Sequence, residues 1–147
     1  MYKRQTLDGA NVEIREAVGG ENFFLFGLTV EEVQSLRPNY NPQSYIDEDD
    51  DFGRVMQLLE SGHFNPMEPG VMDTVIRAIR NPQDPWMTAA DFRSFLDAQA
   101  KAEHAYADQE QWTRMSILNT AASGRFSTDR TMVDYNRDIW RLESVDP

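Results

Sequence analysis

One short apolar run constrains the fold of this chain more than any other feature of its sequence. Phe23-Phe24-Leu25-Phe26, bounded by Asn22 and Gly27, is typical of a strand buried on both faces in a parallel sheet between helix layers. A single strand cannot satisfy its own backbone N–H and C=O groups. We therefore expect either a second strand that ends at Thr6-Leu7 or partner strands in sequence outside this chain.

The rest of the sequence has mainly helical periodicity. Ala10 to Val18 predicts a short helix with Val12, Ala17 and Val18 on one face, capped by Asp8 and ended by Gly19-Gly20. A capping-box spacing predicts a second helix, from Thr29 with Glu32 to Pro38. Apolar spacing predicts further helices at 52–59, 72–79, 92–106, 112–118 and 132–140, with boundary signals at Gly62, Asn81-Pro82, Asp108, Ser123-Gly124 and Ser127. Trp86-Met87-Thr88 is compatible with a short strand.

The chain is strongly acidic. Its 25 Asp and Glu residues against 14 Lys and Arg residues give a formal charge of −11, which argues against a nucleic acid or an anionic membrane as partner. The 147 residues suit one ordinary domain, and no apolar run approaches the roughly 20 residues that span a bilayer. Because the sequence has no cysteine, a reducing compartment is the simpler interpretation, and we expect a cytoplasmic location.

The acidic run at residues 47–51 raises the question of a calcium site. Asp47, Asp49 and Asp51 match the alternating ligands that begin an EF-hand loop. However, Phe52 stands where the loop needs glycine, and Leu58 stands where it needs the final bidentate carboxylate. We therefore reject a metal site and expect these acids to lie at a helix N-terminus, where the helix dipole favours them.

Other catalytic patterns are incomplete. His63 and His104 are far apart in sequence, lack a second-ligand spacing, and have neither a charge partner nor a Gly-x-Ser-x-Gly motif for a triad. The turn Asp8-Gly9-Ala10-Asn11 has one glycine where a dinucleotide fingerprint needs three. The two lysines, Lys3 and Lys101, both lie in polar segments that would not lower the pKa of an amine for Schiff-base chemistry.

Several longer strings carry more information than these patterns. They are Thr6-Leu7-Asp8-Gly9-Ala10-Asn11-Val12-Glu13-Ile14, Glu21-Asn22-Phe23-Phe24-Leu25-Phe26-Gly27, Trp112-Thr113-Arg114-Met115-Ser116-Ile117-Leu118-Asn119, Ser123-Gly124-Arg125-Phe126-Ser127-Thr128-Asp129-Arg130-Thr131 and Asp138-Ile139-Trp140. In this order and spacing they closely resemble the C-terminal end of the glycogen (α-glucan, maltodextrin) phosphorylases. The resemblance covers about residues 6–147.

The resemblance implies an α/β fold: a helix-rich C-terminal part of a Rossmann-like lobe in the B-type glycosyltransferase architecture, with an incomplete sheet. It also implies an enzyme, usually a homodimer, that cleaves α-1,4-glucan with inorganic phosphate and releases glucose 1-phosphate. In that family pyridoxal phosphate is held as a Schiff base, and its phosphate group takes part in proton transfer.

None of the family's functional residues has a matching position in this sequence. In the family, the cofactor lysine and the glycine-rich phosphate loop lie just upstream of the segment that matches Thr6, and Lys3 is too close to Thr6 to be that lysine. We therefore expect no catalytic, cofactor-binding or metal residue here, and no bound pyridoxal phosphate. Charged residues in 1–5 stand where the family has an apolar strand, so we expect 1–5 to be a non-native leader and 6–147 the partial domain.

Two functional interpretations remain at this point. The first is a fragment of an α-1,4-glucan phosphorylase that is enzymatic by family and inactive by itself. The alternative is a free-standing acidic helical module that binds a protein partner, which the amphipathic helices permit.

Overall fold

The computed structural model describes residues 4–5 and 9–143. Two short strands, β1 and β2, and eight α-helices, α1 to α8, make up most of this described part. The elements are β1 (Arg4–Gln5), α1 (Ala10–Val18), β2 (Phe24–Leu25), α2 (Val30–Leu36), α3 (Pro42–Glu48), α4 (Asp50–Glu60), α5 (Asp73–Ile79), α6 (Thr88–Ala107), α7 (Gln109–Ala122) and α8 (Thr128–Tyr135). A helix-rich fold is thus confirmed.

The two strands form a small parallel sheet. Arg4 is in register with Phe24, and Gln5 with Leu25. Thr6 and Leu7 themselves lie outside the described residues. The strand predicted over residues 23–26 is shorter than expected, and both of its residues are half-buried. Double-sided burial is therefore wrong for β2. Among the described strands β1 alone pairs with it, and α6 packs against it.

Helix α1 has the bounds that the sequence predicts, but a different buried face. Its N-cap residue is Gly9, which has a φ of 46° and no side chain to accept a capping hydrogen bond. The cap predicted at Asp8 lies outside the described residues. Val18 is buried against α7, whereas Val12 is 37% exposed. The predicted grouping of Val12 with Val18 is therefore wrong: Ile14 and Val18, together with residues of α7, line a small cavity between the two helices.

Three predicted helix starts are confirmed by their caps. Thr29 and Glu32 form a complete capping box, in which each side chain accepts a hydrogen bond from the backbone N–H of the other. Asp108 accepts hydrogen bonds from two N–H groups in the first turn of α7. Ser127 accepts one from the N–H of Arg130 in α8. These caps satisfy N–H groups that have no partner within the helix.

Helix α3 was not predicted from apolar spacing. Its signal is local: Asn41 accepts a hydrogen bond from the N–H of Gln43 at 3.1 Å, and Pro42 occupies the first turn. Proline is favoured there because its missing N–H would have no helical partner. The Asn-Pro pair was therefore the signal that could have located this helix.

The largest cluster of buried apolar side chains lies between α3, α4 and the start of α6. The rings of Phe52 and Phe92 stack at 4.1 Å, and the backbone N–H of Ala89 donates a hydrogen bond to the hydroxyl of Tyr40 at 3.2 Å. The cluster consists of Tyr40, Ile46, Phe52, Met56, Met87 and Ala89. Its burial contributes apolar packing between α3, α4 and α6.

The second half of the chain is packed less completely. Ala98, Ala102 and Ala105 of α6 are buried, and α6 packs against α7. In contrast, α8 packs mainly against the segments on either side of it. Val133 on α8 is consequently 64% exposed, and Ile139 in the segment that follows α8 is 65% exposed. In the described part of the chain, no helix is long and apolar enough to cross a membrane.

Candidate functional site

A wide groove lies between α2 and the start of α6. It has a volume of about 640 Å³, within the range of small-molecule sites. We call it the α2–α6 groove. Its lining residues are Phe26, Leu28, Val30, Val33, Gln34, Arg37, Pro85, Trp86, Thr88, Asp91, Phe92 and Phe95. Most are apolar, and a few polar side chains stand among them.

A turn before α6 places Trp86 at the groove. Asp84 is buried, and its carboxylate accepts hydrogen bonds of 2.9 Å from the backbone N–H groups of both Trp86 and Thr88. Met87, between them, has φ of 51° and is 1% exposed in the core. Trp86 in contrast is 79% exposed. The short strand considered for residues 86–88 does not form, because the Asp84 carboxylate satisfies the N–H groups of a turn instead.

Two side chains at the start of α6 hold the segment that follows β2. Asp91 accepts a hydrogen bond from the N–H of Leu28 at 3.1 Å, and the hydroxyl of Ser94 accepts one from the N–H of Gly27 at 2.9 Å. Burial raises the pKa of the Asp91 carboxyl, and the negative charge of Asp84 raises it further. Asp91 is thus a half-buried carboxyl in an otherwise apolar wall.

The opposite wall of the groove carries two polar side chains. Arg37 donates a hydrogen bond of 3.0 Å to the carbonyl oxygen of Pro85, which joins the end of α2 to the turn before α6. Gln34 lies one helical turn earlier and is exposed. Phe26 and Phe95 complete the wall beside β2 with an edge-to-face contact at 5.3 Å between ring centroids.

The acidic run has the structural role that its sequence predicted. Asp49 is the N-cap residue of α4 and accepts hydrogen bonds of 3.1 Å from the N–H groups of Asp51 and Phe52. Arg93 on α6 forms ion pairs with both Asp49 and Asp51. The hydrogen bond from Arg93 lowers the pKa of Asp49. These contacts account for the acidic run as a helix cap bound to an arginine.

The other sequence candidates do not come together. His63 is exposed beside Phe64, and His104 and Lys101 are exposed on α6, outside the α2–α6 groove. Lys3 lies outside the described residues. Within residues 4–5 and 9–143, no group of three or more acidic or histidine side chains is arranged to hold a metal ion. The groove was not predicted from the sequence. The available signal was the ambiguous segment Trp86-Met87-Thr88, which carries the tryptophan that lines the groove.

Comparison with known proteins decides the family. The carbohydrate phosphorylase family model matches residues 4–142, nearly the whole chain. The chain belongs to the carbohydrate phosphorylase family. The resemblance inferred from its sequence strings is therefore confirmed. The matched range and β1 both include Arg4 and Gln5, which overlap the leader expected at residues 1–5.

Individual relatives of this phosphorylase-family chain are consistent with that result. It is 45% identical to a glycogen phosphorylase of Synechocystis over 95% of its own length and 16% of the relative. Identity is 40% to the human muscle glycogen phosphorylase, over 94% of this chain and 16% of the relative. It is 42% to a potato chloroplastic/amyloplastic α-1,4 glucan phosphorylase L-1 isozyme, over 96% of this chain and 15% of the relative. The chain thus spans about one-sixth of these relatives and corresponds to a fragment of them.

Two of the family strings meet in the structure. Asn119, at the end of the string that begins at Trp112, donates hydrogen bonds to the carbonyl oxygens of Asn22 at 3.0 Å and Met115 at 2.9 Å. Asn22 is 6% exposed, and its own amide donates to the carbonyl oxygen of Val18 at 2.8 Å. In this phosphorylase-family chain, the two strings therefore carry a buried polar link between α1, β2 and α7.

Proposed function

We propose that this chain supplies the C-terminal part of the cofactor lobe of an α-1,4-glucan phosphorylase. Such an enzyme cleaves glycogen, starch or maltodextrin with inorganic phosphate and releases glucose 1-phosphate. The observation that supports this most strongly is the pair of coverages: 94% of this chain but only 16% of the human muscle relative. A relationship of that kind fits one structural part of a large enzyme better than a self-contained catalyst.

The proposed architecture is a Rossmann-like lobe of a B-type glycosyltransferase, with residues 6–147 as its partial domain. The parallel pairing of β1 with β2 supports this, since parallel strands are typical of sheets covered by helices. The packing of α6 on β2 supplies one such covering helix. Exposed apolar side chains on α8 would be covered by other parts of the same enzyme.

We further propose that the chain contributes structure and no catalytic residue. Pyridoxal phosphate, the family's cofactor, supplies a phosphate group for proton transfer when it is bound to a lysine. The described residues do not fit that group, because Lys101 is their one lysine and it is exposed on α6, away from the groove. A Schiff-base lysine needs surroundings that lower its pKa, such as a desolvated site. Cofactor binding is therefore assigned to the rest of the enzyme.

Partners and location follow from the proposed enzyme. α-Glucan and inorganic phosphate would be its substrates, and a homodimer its assembled state. We propose a cytoplasmic location, and subcellular fractionation of cells that produce the protein would test it. The net charge of −11 supports the proposal that neither nucleic acid nor an anionic membrane is a partner.

A chimeric enzyme tests the proposed function. Residues 4–142 of this chain would replace the matching segment of the Synechocystis glycogen phosphorylase. We expect the chimera to bind pyridoxal phosphate and to release glucose 1-phosphate from glycogen. A second chimera with Lys101→Arg is expected to retain that activity, because the cofactor lysine lies elsewhere. A folded, cofactor-loaded chimera without phosphorolysis would contradict the proposal.

A further inference from the structure

The α2–α6 groove displays aromatic side chains to solvent. Trp86 is 79% exposed and Phe95 is 38% exposed, and Phe26 lies against Phe95. Large aromatic side chains are normally buried, and exposed clusters of them mark binding surfaces. The Asp84 carboxylate accepts hydrogen bonds from the backbone N–H groups of Trp86 and Thr88, and these fix the turn in which Trp86 is exposed. The groove is thus prepared for a ligand that has apolar faces.

The same groove also requires a ligand that forms hydrogen bonds. Gln34 can donate and accept, Arg37 has donors beyond the one that it gives to Pro85, and Asp91 is a half-buried acceptor. A purely apolar occupant, such as the face of an amphipathic helix, would remove water from these groups without replacing its hydrogen bonds. That loss is unfavourable for a carboxyl group in particular.

The charges on the groove indicate a neutral ligand. Asp91 and Arg37 carry opposite charges on facing walls, and the whole chain has a net charge of −11. That net charge disfavours free phosphate, nucleotides and other anions. A neutral molecule with apolar faces and hydroxyl edges fits the three requirements together, and a saccharide has this chemistry. A volume of about 640 Å³ accommodates a short oligosaccharide.

We infer that the α2–α6 groove binds α-glucan, with Trp86 stacking on a sugar ring and Gln34 and Arg37 binding hydroxyl groups. The choice of an α-1,4-linked glucan among saccharides rests on the proposed function. The groove adds a binding role to a chain that carries no catalytic residue under that proposal. Glucan bound here would raise the local concentration of substrate at the enzyme.

Titration of the 147-residue chain with maltoheptaose tests this inference, with calorimetry and amide NMR shifts as readouts. We expect saturable binding, with the largest shifts in α2 and the first turn of α6. Trp86→Ala is expected to weaken binding at least about tenfold, and Gln34→Ala several-fold, as losses of one stacking and one hydrogen-bonding group. Trp140→Ala is the matched control, because Trp140 is 48% exposed but lies outside the groove. Maltoheptaose binding by this variant is expected to stay unchanged.

Several results would overturn the inference. They are absence of saturable maltoheptaose binding, equal loss in the Trp86 and Trp140 variants, or equally tight binding of a β-linked cello-oligosaccharide. Gln34→Ala leaves the turn before α6 intact, so the inference stays testable if Trp86→Ala does not fold. Hydroxyl-radical footprinting of Trp86 in the glucan-free chimera is the final check. Protection there would mean that a protein segment covers the groove, which contradicts a glucan site.

The two proposals can fail separately. An inactive chimera together with Trp86-dependent maltoheptaose binding would overturn the phosphorylase function and leave a glucan-binding groove. An active chimera without such binding would overturn the groove and leave the phosphorylase function.

Discussion

The side-chain amide of Asn119 donates a 3.0 Å hydrogen bond to the main-chain carbonyl of Asn22, which lies 97 positions earlier in the chain. Asn119 belongs to α7, and Asn22 stands directly before Phe23 at the entry to β2. This link holds the turn between α1 and β2 against the second half of the chain. Because Asn22 is buried, water cannot readily replace the lost donor.

Removing this link is expected to destabilise the fold. Asn119→Ala should lower the free energy of unfolding by about 1–2 kcal/mol, since it leaves a buried carbonyl without its partner. Urea denaturation followed by circular dichroism measures the change. Thr113→Ala, at an exposed position of the same helix, is the control and should change the unfolding free energy little. Equal effects of the two substitutions would show that the Asn119–Asn22 link does not stabilise this fold.

Asp49 is expected to make stability depend on acid pH. Its pKa is lowered in the folded chain by hydrogen bonding to Arg93, so its ion pair stabilises the fold above the ordinary carboxyl pKa of about 3.9. That contribution is lost as the pH falls through the lowered pKa. Asp49→Asn keeps a cap acceptor but removes the charge, and it should cost about 0.5–1 kcal/mol at pH 7.

The pH comparison provides its own control. The difference in urea midpoint between the unaltered chain and Asp49→Asn should shrink between pH 7 and pH 3, because the Asp49 carboxyl of the unfolded chain, at its ordinary pKa, takes up a proton before that of the folded chain does. Asp49→Ala should cost more at both values, by about 1–2 kcal/mol, since it removes the cap as well. A midpoint difference for Asp49→Asn that does not change with pH would contradict the role assigned to the ion pair.

Exposed apolar surface on the isolated chain should bind a hydrophobic dye or cause aggregation. Val133 and Ile139 are both more than 60% exposed, and β2 pairs with only β1 among the described strands. Changing both Val133 and Ile139 to lysine should reduce dye fluorescence. Lysines at the exposed, polar positions Gln57 and Thr113 are the matched control for added charge. A clean monomer with a sharp cooperative melt and no dye binding would contradict this account.

Local signals in the sequence predicted much of the helical structure. The bounds of α1 and the caps at Thr29, Asp108 and Ser127 depend on residues within a few positions of one another. Such signals act before any tertiary contact forms, so they can be interpreted from sequence alone. The acidic run near Asp49 was also predicted correctly as a helix N-terminus.

Features that depend on distant residues were not predicted. The α2–α6 groove joins Arg37 to Pro85 across 48 positions. The turn at Trp86 depends on Asp84 and on the burial of Met87 in a core made by other helices. The spacing of apolar residues in the sequence indicates which face of a segment is apolar, but not which other segment packs against that face. For that reason the exposure of Trp86 could not be predicted from periodicity.

Lys101 is expected not to hold the cofactor. Its side chain is exposed on α6, outside the α2–α6 groove. Incubation with one equivalent of pyridoxal phosphate, borohydride reduction and peptide mass spectrometry should therefore show no retained adduct on Lys3 or Lys101. A full-length Synechocystis glycogen phosphorylase treated in parallel is the positive control. A stoichiometric reduced imine on either lysine of this chain would contradict the assignment of the cofactor to the rest of the enzyme.

The central proposal is that this chain supplies structure, but no catalytic residue, to a glucan phosphorylase. Glucose 1-phosphate release by the purified 147-residue chain tests it most directly, with maltoheptaose, inorganic phosphate and pyridoxal phosphate present. The account predicts no release above that of a protein-free blank. Release that follows the chain through purification and disappears with Lys101→Arg would contradict it.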